Sequence, residues 1–179
     1  MPATLDSLMQ EATRYAEHWM KKSGSLAPSM MAATAQGTVL FLPQGMKDAQ
    51  GKDDFAYTVR LICAAHAASA VVLMVESWVA QAKPGEKLDI TTPPSQSPDR
   101  EEVVVLIGQG LAGNVTRMLP IVRSDNGRFW NLGDPQDMPA TTLEGRFAGL
   151  LPPQPVGEQE RKMGRLLLDA MGVRLAKLR

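Results

Sequence analysis

The chain has 179 residues, of which 44% are hydrophobic and 21% are charged, and its 19 basic residues balance its 19 acidic ones. This composition is that of an ordinary globular protein, and the balance of charge excludes a global field that would attract nucleic acid or a membrane. The single cysteine, Cys63, excludes an intrachain disulfide and a thiolate metal cluster. The length predicts a single domain over residues 1–179.

The amino-terminal residues and the apolar runs predict a soluble, cytoplasmic protein without membrane contact. Residues 1–6 lack the basic start and the continuous apolar stretch of a signal peptide. The longest apolar run, 70–75, is much shorter than a membrane span. A lone cysteine also fits a reducing compartment.

The spacing of apolar residues predicts three helices, over about 5–22, 53–68 and 157–178. Thr4 is expected to cap the first helix and Gly24 to end it. Asp53 is expected to cap the second helix. The third helix follows a proline-rich segment, and its predicted apolar side consists of Met163, Leu166, Leu167, Ala170, Met171, Leu175 and Leu178.

Runs of β-branched and apolar residues predict the strands, which are two within 30–42 and one each over 70–80, 102–107, 114–123 and 128–132. The run 70–80 is almost wholly apolar at its start, which is typical of a central strand covered on both faces. The predicted fold is α+β, with a mostly antiparallel sheet of about five to six strands packed with three helices in the order α-β-β-α-β-β-β-β-α. A long loop over 81–101 is the first place to look for a site.

Residues 103–113 contain a strand followed by Gly108-Gln109-Gly110-Leu111-Ala112-Gly113, which matches the G-x-G-x-x-G pattern of dinucleotide-binding folds. That chemistry needs a helix after the second glycine, yet the following residues read as a strand that reaches Pro120. We therefore interpret the glycines as a hairpin loop between two strands.

Histidine and cysteine spacing predicts no metal site and no nucleophile. His18 and His66 form no ligand pattern with neighbouring residues. Cys63 lies three residues before His66, but a thiol inside an alanine-rich helix is expected to be buried. No cofactor is predicted.

One polar cluster is the candidate ligand-binding site, and it consists of Glu76, Trp78, Arg100, Arg123 and Arg128. Glu76 and Trp78 share one face of the strand 70–80, where an acid must be solvated, paired or functional. If this strand pairs with the next one, Glu76 and Arg100 can form an ion pair, which would either hold the loop in place or face a substrate. In the second case Trp78 would offer a stacking platform and the arginines would bind an anion.

Residues 75–78, Val-Glu-Ser-Trp, followed by Pro94-Ser95-Gln96-Ser97-Pro98-Asp99-Arg100-Glu101-Glu102-Val103, form a recognisable pattern. It resembles one in uncharacterised small prokaryotic and phage-type proteins, in which an E-(S/A)-W strand precedes a P-S-x-x-P-x-R-x-E turn. The resemblance covers about 30 residues. It implies a common fold and a shared buried cluster, and it carries no known activity.

The absence of a catalytic motif together with the leucine-rich last helix favours a non-enzymatic binding or assembly domain that self-associates or binds a protein partner. The alternative is a small hydrolase or nucleic-acid-processing enzyme that uses Glu76 and Arg100. Residues 157–179 carry three more basic than acidic side chains, which leaves a nucleic-acid contact open, although a solvated helix face has the same composition.

Overall fold

The computed structural model describes residues 4–80, 84–87, 91–140 and 145–178. Its elements in chain order are α1 (Leu5–Ser23), β1 (Ser29–Thr34), β2 (Gly37–Phe41), α2 (Ala49–Ala65), β3 (Ala70–Ala80), a 3-10 turn (Pro94–Gln96), β4 (Arg100–Gly110), β5 (Gly113–Arg123), β6 (Phe129–Leu132), β7 (Gln136–Ala140), α3 (Glu158–Ala170) and β8 (Ala176–Lys177).

The strands form one antiparallel sheet in the order β6-β5-β4-β3-β1-β2-β8, and β7 pairs with β5 beside β6. The predicted α+β class and the three helices are confirmed. The predicted five to six strands are too few, because the described residues alone form a sheet of eight. The added strands are the short β7 and β8, which lack the β-branched apolar runs on which the strand prediction rested.

The sheet is covered on both faces, and β3 lies at its centre as predicted. Alternate residues of β3 point to opposite faces. Val72 and Met74 pack with α1 in one core, whereas Val71 and Leu73 pack with α2 and Leu168 of α3 in the other. Burial on both sides explains why this strand is apolar at successive positions.

The ends of α1 follow the sequence prediction. The Thr4 side chain accepts a hydrogen bond from the Ser7 N–H, and Gly24 adopts a left-handed conformation with φ of 71°. The start of α2 differs from the prediction, since Asp48 rather than Asp53 caps it, by accepting from the Gly51 N–H at 2.7 Å. The earlier aspartate adds a turn to the helix.

The last helix is shorter than predicted. It ends at Ala170, and Gly172 then takes a left-handed conformation with φ of 68°, which reverses the chain. The following residues run back along the sheet edge as β8, which pairs with Val39 and Leu40 of β2. Leu178 therefore packs in the α1 core rather than on α3.

The glycine pattern over 108–113 forms the hairpin between β4 and β5, as the sequence indicated. A Cβ on Gly108 would lie 2.8 Å from the Met9 Sδ, and a Cβ on Gly110 would lie 3.1 Å from the Leu5 Cβ. These glycines therefore allow α1 to approach the sheet closely. Within the described ranges, no helix combines the length and apolarity needed to cross a bilayer.

Candidate functional site

Four residues of the predicted polar cluster lie on the α1 face of β3, β4 and β5, and the fifth, Arg128, lies in the connection between β5 and β6. Trp78 is opposite Glu102 and Ala80 is opposite Arg100. The Arg100 guanidinium lies 4.9 Å from the centroid of the Trp78 ring and donates to the Ser95 carbonyl at 2.5 Å. Arg100 thus covers the aromatic face that a stacked ligand would use.

The expected ion pair between Glu76 and Arg100 is not formed. Glu76 instead accepts a hydrogen bond from the Leu26 N–H. The ion pair in this region joins Arg123 to Glu102 through two contacts of 2.7 and 2.6 Å, and Arg123 also donates to the Gly24 carbonyl at 3.3 Å. The cluster holds the end of α1 and the following connection against the sheet.

The electrostatics of these groups follow from the contacts. Burial raises the pKa of the Glu76 carboxyl, the Leu26 N–H partly opposes that rise, and the nearby Glu102 adds to it. The contact with Glu102 raises the pKa of Arg123 above its ordinary value. Arg128 is exposed and lies with Arg123 at a groove of about 440 Å³ beside the end of α1. The structure therefore brings Arg123 and Arg128 together and keeps Glu76 apart from Arg100.

Cys63 and His66, the two residues weighed for nucleophilic chemistry, lie within α2 and at its end. Cys63 is fully buried in α2, and burial raises the pKa of its thiol to about 12. His66 forms the end of α2, where burial and the cations Arg165 and Lys177 lower the pKa of its imidazole. Over the described part of the chain, no group of three or more His, Cys, Asp or Glu side chains could hold a metal ion.

A larger groove lies on the opposite side of the sheet, where α3 crosses the end of α2. The helices approach closely because Gly164 faces Ala65, and a Cβ on the glycine would be 3.1 Å from the alanine Cβ. Arg165 donates from its Nε to the Ala65 carbonyl at 3.3 Å. The groove beside this crossing has a volume of about 750 Å³.

The segment 149–153 forms the other wall of the groove, and side-chain hydrogen bonds tie it and the residues before it to β4 and α2. Gln109 donates to the Phe147 carbonyl at 2.6 Å and accepts from the Leu150 N–H at 2.9 Å. Arg60 donates to the carbonyls of Arg146, Ala148 and Gly149, at 2.9, 2.9 and 3.3 Å. These contacts satisfy backbone polar groups of residues 146–150 as the chain enters the wall.

The groove wall and floor are largely apolar. We define the α2–α3 groove by Leu61, Ala64, Leu151, Pro152, Pro153 and Met163. These residues could not be grouped from the sequence, because they come from three separated segments. The only sequence signal was the apolar run 150–153, which ends in two prolines.

Next to this groove, α3 exposes a second apolar face. The residues Met163, Leu166, Leu167 and Ala170 recur at helical spacing, and we call them the α3 stripe. Met163 is 55% exposed, Leu166 64% and Leu167 36%. The packed face of α3 instead contains Gly164 and Leu168. The predicted apolar side is therefore correct only in part, because the stripe is largely exposed and the other predicted members, Met171, Leu175 and Leu178, lie beyond the end of α3.

Comparison with protein-family models, with curated protein sequences and with solved structures finds no match to this chain.

Proposed function

We propose that this chain is a protein-binding domain and that its docking surface consists of the α2–α3 groove and the α3 stripe. The occupant would be the apolar side of an amphipathic helix. The observation that carries this proposal is the exposed apolar face of α3, which continues into a preformed apolar groove.

The size and continuity of the surface support this function. Single exposed apolar side chains are normal on proteins, whereas contiguous apolar patches mark interaction sites. Tyr57 on α2, one helical turn before the groove residue Leu61, is also half exposed. Burying such side chains stabilises a complex by about 25 cal/mol per Å² of apolar surface removed from water, before the cost of association.

The shape of the surface indicates a helix as the occupant. Ala64, a small residue, lines the groove together with Met163 and the segment 151–153. Helix-in-groove recognition uses apolar side chains at positions i, i+3, i+4 and i+7, which fill an apolar channel of this kind. The fixed segment 146–150 supports a preformed channel, which reduces the entropy lost on binding.

Site-specific photo-cross-linking in living cells tests this function. A photoreactive residue replaces Met163, and a control replaces Trp130, which is 73% exposed on β6 at the other end of the sheet. We expect a discrete adduct from position 163, with the cross-linked peptide of the partner identified as a helical segment. The adduct should disappear when Leu61→Glu is added.

Two results would contradict the function. One is the same set of adducts from positions 163 and 130, because it would indicate non-specific contact. The other is an adduct at position 163 that persists undiminished with Leu61→Glu, because the groove would then not contribute to binding. A melting temperature matched to the parent chain shows that Leu61→Glu has not unfolded the protein.

A further inference from the structure

We infer that the occupant of the docking surface is the α3 stripe of a second copy of this chain, with the two α3 helices antiparallel across a two-fold axis. This inference rests on the docking function proposed above and names the partner.

The surface contains both parts that a two-fold contact needs. In such a contact the same patch meets itself, so a projecting element on each copy must fit a recess on the other. The α3 stripe projects, and the α2–α3 groove lies directly beside it, with Met163 belonging to both. One face of one chain therefore carries a ridge and its complement.

The spacing within the stripe is symmetric about the midpoint of Leu166 and Leu167. Antiparallel pairing about that point places Leu166 beside the partner's Leu167. It also places Met163, the longest side chain of the stripe, beside the partner's Ala170, the shortest. Long side chains opposite short ones are what allow two helices to interdigitate.

The charges along the edge of the stripe select the antiparallel arrangement. Lys162 and Asp169 are both exposed and lie seven residues apart, so two helical turns bring them to the same edge. In an antiparallel pair about that midpoint, Lys162 and the partner's Asp169 lie on the same edge and are offset by about 3 Å along the helix axis, within reach of an ion pair, and the two-fold axis forms this contact twice. A parallel pair would instead place this edge against the opposite edge of the partner's helix, so Lys162 and Asp169 could not meet. Antiparallel helix dipoles also attract each other.

The net charge of the chain and the existing contact of Lys162 are both compatible with this pairing. The chain carries no net charge at pH 7, so two copies do not repel each other at long range. Within one copy Lys162 contacts Glu158 at 3.1 Å, but both side chains are about 70% exposed. Such an exposed pair contributes little and does not prevent Lys162 from reaching a partner.

Sedimentation equilibrium of the full chain tests the inference with charge-reversed variants. We expect wild type to dimerise and Leu167→Glu to weaken the dimer by at least about 100-fold, since a charge would be buried twice. Lys162→Glu and Asp169→Lys should each weaken it by about tenfold, because like charges then face each other at two places. Arg14→Glu, on α1 at the opposite face of the sheet, is the control and should leave dimerisation unchanged.

The decisive measurement mixes the two charge-reversed chains. Lys162→Glu of one chain would face Asp169→Lys of the other, and the remaining Asp169 would face the remaining Lys162. The mixed dimer should therefore form with an affinity within about threefold of wild type. A change in the stability of one chain cannot produce such recovery, and thermal melting of each variant checks that it is folded.

The possible failures separate the partner from the docking function. A wild type that stays monomeric at about 200 µM, a concentration at which even a weak specific dimer would form, overturns the self-pairing. The docking function would then stand only if the adduct cross-linked at position 163 contains a different protein. A dimer that persists with Leu167→Glu overturns the pairing and counts against the docking surface itself. Single variants that dissociate but do not recover on mixing overturn the antiparallel arrangement.

Discussion

Gly164 of α3 lies so close to Ala65 of α2 that a Cβ on the glycine would be 3.1 Å from the alanine Cβ and 3.2 Å from its backbone nitrogen. The absence of a side chain at this one position allows the two helices to touch. It also determines which face of α3 is packed and which is exposed, and thereby where the docking surface lies.

Gly164→Val should destabilise the chain by about 1–3 kcal/mol, because the valine methyl groups would overlap the α2 backbone and push α3 away. The free energy of unfolding in urea measures this effect. Gln10→Val, at an exposed site of α1 outside the docking surface, is the control and should change the free energy of unfolding by no more than about 0.5 kcal/mol. Equal effects of the two substitutions would contradict close packing at Gly164.

Gly108→Ala should destabilise the chain by about 1–2 kcal/mol, since the added methyl would lie 2.8 Å from the Met9 Sδ, 3.0 Å from the Leu5 Cδ1 and 3.1 Å from the Val115 Cγ1, so several packed side chains must shift. A double-mutant cycle with Met9→Ala measures the coupling. We expect the cost of Gly108→Ala to fall when Met9 is shortened. Strict additivity would show that the glycine serves some purpose other than the approach of α1.

Glu76 should make the stability of the chain decrease as the pH rises. Burial raises its pKa in the folded state above the ordinary value of 4.5, so the folded chain retains a proton that the unfolded chain has lost. Its contribution is therefore complete below pH 4.5 and is lost as the pH rises through the folded-state pKa. Unfolding free energies between pH 4 and 8 should show Glu76→Gln gaining stability relative to wild type with rising pH.

A separate substitution isolates the hydrogen bond of Glu76. Glu76→Ala removes the acceptor for the Leu26 N–H and should destabilise the chain by about 1 kcal/mol at pH 5. Glutamine keeps an acceptor oxygen and should not show this loss. A wild type that instead gains stability relative to Glu76→Gln with rising pH would contradict the environment described for Glu76.

Cys63 should not react with thiol reagents in the native chain. It is fully buried, and its thiol has a pKa of about 12, so almost no thiolate forms at neutral pH. Titration with a disulfide reagent should detect one thiol only after denaturation. Rapid reaction of the folded chain would show that α2 opens or that the thiol has an accessible path.

Much of the fold could be predicted from local patterns. The cap and stop of α1, the central strand β3 and the meander of β4, β5 and β6 each depend on residues adjacent in sequence. The strands β7 and β8 could not be predicted in this way. Their place is set by pairing with β5 and β2, and β7 contains both Asp137 and Pro139.

The candidate cluster shows where strand register limits prediction. Alternation correctly places Glu76 and Trp78 on one face, but the sequence does not state the register between β3 and β4. The observed register puts Arg100 opposite Ala80, four residues from Glu76, or about 13 Å along a strand. Glu102 is therefore the acid that pairs with an arginine, and that arginine is Arg123.

The docking surface was predicted only in part. The periodicity of the last helix identified the α3 stripe, and the leucines suggested a partner or a dimer. The sequence could not show which face of the helix packs, because that depends on Gly164 meeting Ala65 across a long separation. A glycine inside a helix would ordinarily count against the helix rather than mark its contact.

Peroxide footprinting of two methionines tests the central claim most directly. Met163 in the α3 stripe is 55% exposed and Met138 on β7 is 47% exposed, so an unoccupied chain should oxidise at similar rates at both. If the docking surface is occupied in cells, mass spectrometry should find Met163 protected there by at least about tenfold relative to Met138, and equally reactive after purification and dilution to nanomolar concentration. Equal oxidation of Met163 and Met138 in cells would contradict the claim that this surface binds a protein.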